Sequence, residues 1–245
     1  MDQVYISKNR SGFEVGSYVA ITPVAKKQAI SAYYYHTEKL EPIKVQIINE
    51  IFEFSDDSEN AIITGSFLNK GFDFEDIDII VINGTKKPIE QFIADRFGIK
   101  SHIMDMTYES LRKGANTDPL FRMLLSRFVA KKRILLKFES KINYKLLDIY
   151  LLKSKLLINN FDSFNGKEKY RLVRNTIAIK RFMEYKKLSD ESVNKDINDC
   201  FGKDAAVKIK NNTFEKTIFI KKYKALHSNL FERIMEWIKN DKKQK

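Results

Sequence analysis

A single cysteine, Cys200, stands among 245 residues. One cysteine closes no internal disulfide and completes no cysteine-based zinc site, so neither framework holds this chain together. Histidine is nearly as scarce: His36, His102 and His227 are scattered without the spacing of metal ligands. No apolar run approaches the ~18 residues of a membrane span, and the opening MDQVYISKNRSG is polar and charged. The expectation is a cytoplasmic protein with no membrane partner. Internal repeats and long low-complexity linkers are also missing, apart from the lysine-rich tail at 241–245. What is present, 43% hydrophobic and 31% charged residues, suits one or two globular domains and excludes a fibre or a disordered chain.

The charge is unevenly shared. Residues 1–120 carry 13 Lys and Arg against 18 Asp and Glu, and residues 121–245 carry 31 against 14, giving −5 and +17. This asymmetry points to a polyanionic partner, nucleic acid before others, with a lysine-rich solvated surface as the plain alternative.

The residues 61–82, AIITGSFLNKGFDFEDIDIIVI, concentrate the candidate chemistry. They read as an apolar strand over 61–64, a Gly65-Ser66 turn, a polar connection and a second apolar strand opening with Asp76 and Asp78. Side chains two apart on a strand share a face, so Asp76 and Asp78 stand together with Cα atoms ~6.5 to 7 Å apart. Adjacent carboxylates repel unless a cation neutralises them, which makes a metal the natural third party. A solvated acidic loop is the plain alternative. Against it stand the core-like run IIVI after the pair and the Gly-Ser turn before it, whose N–H groups and hydroxyl can grip phosphate. Asp105, on a strand of its own in SHIMDMT, is the candidate third acid, with His102, Met104 and Met106 on the opposite face. A calcium loop fails because Ile80 and Val81 fill its fifth and sixth positions, and an aspartyl phosphatase fails because the hydrophobic run follows the pair.

Elsewhere the patterns predict a β-hairpin over 4–21, a helix from Thr22-Pro23 to about residue 35, and a helix over 42–54. The cluster Tyr33, Tyr34 and Tyr35 can stack on bases, though packing against the hairpin or a partner subunit is the simpler reading. A helix from Pro88 to Phe97, a strand carrying Asp105, a helix opening at Asp118-Pro119 and reaching Phe128, and a last strand over 133–138 follow. Beyond them helices are expected over about 141–161, 167–187, 190–201 and 213–240.

Gly65-Ser66, nine intervening residues, Asp76-Ile77-Asp78-Ile79 and a later strand bearing Asp105 resemble the nucleotidyltransferase superfamily of DNA polymerase β. That superfamily's pattern is h-G-[GS], roughly nine to thirteen residues, then D-h-D-h, with a third acid on a following strand. The resemblance spans residues ~45 to 137 and implies an α+β fold. The implied organisation is an N-terminal extension over 1–40, a small mixed-sheet catalytic domain over 41–138 and a basic α-helical bundle over 139–245. It further implies transfer of a nucleoside monophosphate from an NTP, ATP among them, to an acceptor hydroxyl. Asp76, Asp78 and Asp105 would be catalytic and would bind two Mg²⁺ ions, with Gly65, Ser66 and Lys70 at the phosphates. Arg112, Arg122, Lys131, Lys132 and Arg133 are further candidates for phosphate contact, and no spacing rule selects among them. The basic half favours RNA, such as tRNA, as acceptor. A protein or small-molecule acceptor and a non-catalytic nucleotide or RNA binder are the alternatives.

Overall fold

The structure is a computed structural model that describes residues 31–243. The hairpin expected over 4–21 lies outside the described residues, as does most of the helix expected after it.

The fold is α+β. Its sheet contains β1 (Tyr33–Tyr35), β2 (Asn60–Thr64), β3 (Asp76–Ile82), β4 (Lys100–Met106) and β5 (Phe128–Ala130). The spatial order is β1-β5-β2-β3-β4. All pairs are antiparallel except β3 and β4, which run parallel because a helix connects them. In the centre, every residue of β2 is buried, and so is Ile79 to Ile82 of β3. Such runs lack polar alternation because both faces are covered.

One face is covered by α1 (Pro42–Phe54) and α2 (Lys86–Phe97). Pro42 presets the first turn of α1, whose Ile48, Ile51 and Phe52 are fully buried against Ile77, Ile79, Val81 and Ile103. Each such side chain contributes on the order of 1.5–3 kcal/mol. The other face, carrying Ile62, Ile80 and Ile82, is covered by α3 (Tyr108–Thr117) and α4 (Pro119–Leu124). Five further helices follow among the described residues: α5 (Tyr144–Asn159), α6 (Gly166–Met183), α7 (Asp190–Phe201), α8 (Ala205–Lys210) and α9 (Lys216–Lys243). Here α6 is the axis. Val173, Ile177 and Phe182 pack with α7 and α9, Ile179 and Met183 pack with α5 and the distal part of α9, and Met123 of α4 joins the first of these cores. That last contact seats α6 beside the sheet. No described helix is long and apolar enough to cross a membrane.

Four expectations need correction. Tyr33 to Tyr35 are a strand, because Tyr35 stacks on Phe128 at 4.3 Å and the triplet pairs with β5. The helix at Pro119 stops at Leu124, and Phe128 belongs to β5, which completes the hydrogen bonding of β2. Residues 133–138 are irregular rather than a strand, with Leu135 85% exposed. Two helices, α3 and α8, were unexpected. The first is capped by the Thr107 hydroxyl, which accepts from the Ser110 N–H.

Candidate active site

The turn after β2 and the start of β3 meet at one edge of the sheet. Thr64 pairs with Asp78 in the antiparallel register, so Gly65 emerges directly beside the Asp78 carboxylate. Gly65 has φ of 79°, and a Cβ there would lie 2.0 Å from Asp78 Oδ2. Only glycine satisfies both the left-handed backbone and this approach. The Thr64 hydroxyl donates to the Leu124 carbonyl and to the Arg127 carbonyl at 3.1 Å, tying the turn to the start of β5.

The nine-residue loop between Ser66 and Asp76 is held from beneath by Lys44. This lysine is 1% exposed. Its Nζ donates to the Asn69 carbonyl at 2.6 Å and the Gly71 carbonyl at 2.5 Å, lies 3.1 Å from Glu41 Oε2, and sits under the rings of Phe67, Phe72 and Phe74. Glu41 in turn accepts the Gly71 N–H at 2.6 Å. That backbone bond, helped by Lys44, holds the Glu41 carboxyl down at about 2.

Asp76 and Asp78 share a face, as the spacing predicted, and both are partly buried. Burial pushes the Asp78 carboxyl up, and the neighbouring Asp76 pushes it further, against the pull of His102 and Arg174. Asp105 is not with them. It pairs in register with Val81, whereas Asp78 pairs with His102. Residues in register share a face, so Asp105 projects on the side of Ile77, Ile79 and Val81, and lies about 10 Å farther along the strand. The register therefore does not assemble the expected carboxylate triad of Asp76, Asp78 and Asp105. Alternation had placed His102 opposite Asp105, and the parallel register makes that same fact bring His102 to Asp78, with Nδ1 3.3 Å from Oδ1.

Among the described residues no group of three or more His, Cys, Asp or Glu side chains converges as a metal site would. The residues present do fit one hard divalent cation such as Mg²⁺. Asp76, Asp78 and the exposed Ser66 hydroxyl offer only oxygen, and the half-buried pair of like charges carries an electrostatic cost that a cation relieves.

Facing the carboxylates is α6. The cleft between them holds about 790 Å³, within the usual range of small-molecule sites, and an inner recess of about 240 Å³ reaches Gly65, Ser66 and Asp78. Six cations line it, Lys70 among them. Three are engaged. Lys167 lies 3.2 Å from Asp73 and 3.6 Å from Glu75, Lys210 3.7 Å from Asp73, and Arg127 3.1 Å from Asp190 while also donating to Asn69. Lys70, Arg171 and Arg174 have no carboxylate partner within ion-pair distance among the described residues. Arg174 keeps a buried Nε without a hydrogen-bond partner.

None of Arg112, Arg122, Lys131, Lys132 and Arg133 lines this cleft. Lys131 is buried and donates to the Ser55 carbonyl at 3.0 Å and to Asp56 at 3.1 Å. The Arg122 guanidinium is fixed by the Ala115 carbonyl and the Ser140 hydroxyl, each at 2.6 Å. The sequence does hold a signal for the cleft cations: Lys167, Arg171 and Arg174 fall at i, i+4 and i+7, one face of α6. His227 is buried with Nε2 2.9 Å from the Leu151 carbonyl, a core role remote from the site.

No family model matches this chain, and no curated protein matches it in sequence.

Proposed function

We propose that this cleft transfers a nucleoside monophosphate from an NTP to an acceptor hydroxyl, with the acceptor an RNA. The observation that carries the reading is the packing of Gly65 against Asp78, where a Cβ would lie 2.0 Å from the carboxylate. It sets a turn able to grip phosphate against the carboxylate pair, and the cationic face of α6 lines the same cleft.

In this reading Asp76 and Asp78 hold one Mg²⁺, which when bound neutralises phosphate charge and lowers the cost of bringing the acceptor oxygen to phosphorus. The Ser66 hydroxyl and the turn's N–H groups hold the β- or γ-phosphate. Arg174, Arg171 and Lys70 offset the negative charge that builds on the leaving group. A bond forms between the acceptor oxygen and the α-phosphorus, the α–β bridging bond breaks, pyrophosphate leaves, and the acceptor proton passes to solvent. Asp105 has no part in these steps.

Incubating the protein with each α-labelled NTP, Mg²⁺ and total cell RNA tests the reading. Label should appear in RNA, and Asp78→Asn should lower it about 100- to 1,000-fold, the scale of losing one main electrostatic group in a transition state, with unchanged circular dichroism. Full activity of Asp78→Asn would sink the assignment. Label on protein instead would move the acceptor to the adenylyltransferase class.

A further inference from the structure

We propose that a second run of cavities, leading away from the carboxylate cleft along the coil after β5, is a binding track for single-stranded RNA. Its purpose rests on the transfer reading; its existence rests on its own residues.

The inner recess beside Asp78 and a groove of about 560 Å³ are both lined by Ser126. That groove runs between the coil at 134–140 and the turn at 185–188, and shares Ile134, Leu135 and Leu136 with a further groove of about 670 Å³ between α3 and the same coil. Adjoining concavities thus lead from the recess beside Asp78 toward the far side of the sheet half.

Its electrostatics differ from those of the cleft. Eight cations line the two grooves against two carboxylates, Glu109 and Glu139, whereas the cleft has six cations against five carboxylates. Only Lys137 and Lys186 have acidic neighbours, at 3.9 Å and 2.8 Å. Arg112, Lys113, Arg133, Lys141 and Lys187 have no carboxylate partner among the described residues. A line of unpaired cations is the footprint of a phosphate backbone.

Interleaved with them are large apolar side chains facing solvent. Leu135 is 85%, Tyr185 66% and Phe138 41% exposed. Phe138 is held in place by the Arg122 guanidinium, 5.3 Å from its ring centre, and Tyr185 is turned outward by a left-handed backbone of φ 54° after α6. Exposed rings among cations suit the unstacked bases of a single strand, since every base offers a π-face. A duplex keeps its bases stacked and paired, so it has no free base faces to set on these side chains.

Fluorescence anisotropy of a labelled single-stranded RNA about twelve nucleotides long, a length within common single-strand site sizes, tests the track on the full chain without NTP or metal. The combined variant Arg133→Glu, Lys137→Glu, Lys141→Glu should bind at least tenfold more weakly, with a salt slope smaller by about two, roughly 0.7 for each phosphate no longer neutralised. Tyr185→Ala should weaken binding severalfold with the slope unchanged. The matched control Lys155→Glu, Lys221→Glu, Lys224→Glu, on exposed faces of α5 and α9, should bind as wild type does. Wild-type affinity in the track variant would overturn the inference. So would an equal loss in the control, or equally tight binding of an RNA duplex or an acidic peptide. If RNA binds the track but no NTP is transferred, the transfer reading falls alone. If transfer proceeds and track variants bind RNA normally, the track falls alone.

Discussion

The two walls of the cleft hold their charge in different ways. On the strand wall, two carboxylates stand side by side, Asp78 with only 22% of its side chain exposed, and a left-handed glycine presses against it. On the helix wall, Lys167 has 58% of its side chain exposed and Arg171 is open to solvent. Charge on the strand wall is set against solvation and repulsion, so its geometry must be built in. At Lys167 and Arg171, charge on the helix wall costs little to display and can adjust to an arriving anion. The strand wall should therefore tolerate almost no change, and the helix wall should degrade gradually.

Gly65→Ala tests the intolerant side most severely. The added methyl must displace Asp78 or unwind a left-handed turn, so transfer should fall about 100-fold or more, the effect of roughly 1 Å of misplacement. Stability should fall by about 1–3 kcal/mol, read from urea unfolding. Wild-type kinetics in this variant would show that the close approach does not matter.

On the adaptable side, Arg174→Gln should weaken NTP binding roughly tenfold, near the lower end of what a charged hydrogen bond contributes. A drop in kcat with no change in KM would place Arg174 with the strand wall's intolerant groups instead.

Beneath the strand wall, Lys44→Met keeps the stem but leaves the Asn69 and Gly71 carbonyls without their donor. The cost should be about 1–3 kcal/mol in urea unfolding, as for a buried group left unsatisfied. Glu41 adds a pH dependence of definite sign. Its carboxyl is held down at about 2, below the ordinary carboxylate value, so its contribution is complete above that ordinary value and is lost as pH falls toward 2. Glu41→Gln should remove that acid-side loss, seen as a flatter stability profile below neutral pH.

The smallest effect is expected at Asp105. Asp105→Asn should leave transfer and NTP binding within twofold or so of wild type, as ordinary exposed substitutions do. A large loss there would mean that the faces of β4 are assigned the wrong way round.

How much could be read beforehand follows the same divide. The Gly-Ser turn, the Asp76 and Asp78 pair, α1 with its leading proline and the Gly98 stop of α2 all depend on neighbours within a few residues, where period-two alternation and turn chemistry act. The misplacements arose where distant pairing decides. Phe128 has a helix-compatible spacing with Leu124 and Leu125, yet β2 needed a partner on its open edge, and residues 128–130 supply it. Short helices such as α8 carry too few apolar positions for a period to show.

Asp105 marks the limit most clearly. Its own strand, its alternation with Ile103 and its separation from His102 were all determined by the sequence. Which of those two faces meets Asp78 depends on the register of β4 against β3, and a shift of one residue exchanges every side chain between faces. By itself the sequence determined an α+β fold, a glycine turn and two carboxylates on one side of a strand. Only the tertiary structure decided that His102 and not Asp105 joins them, and that α6 supplies the opposing cations. Register and helix docking are set by the packing of two sheet faces and two helical cores, and no local pattern along the chain encodes that packing.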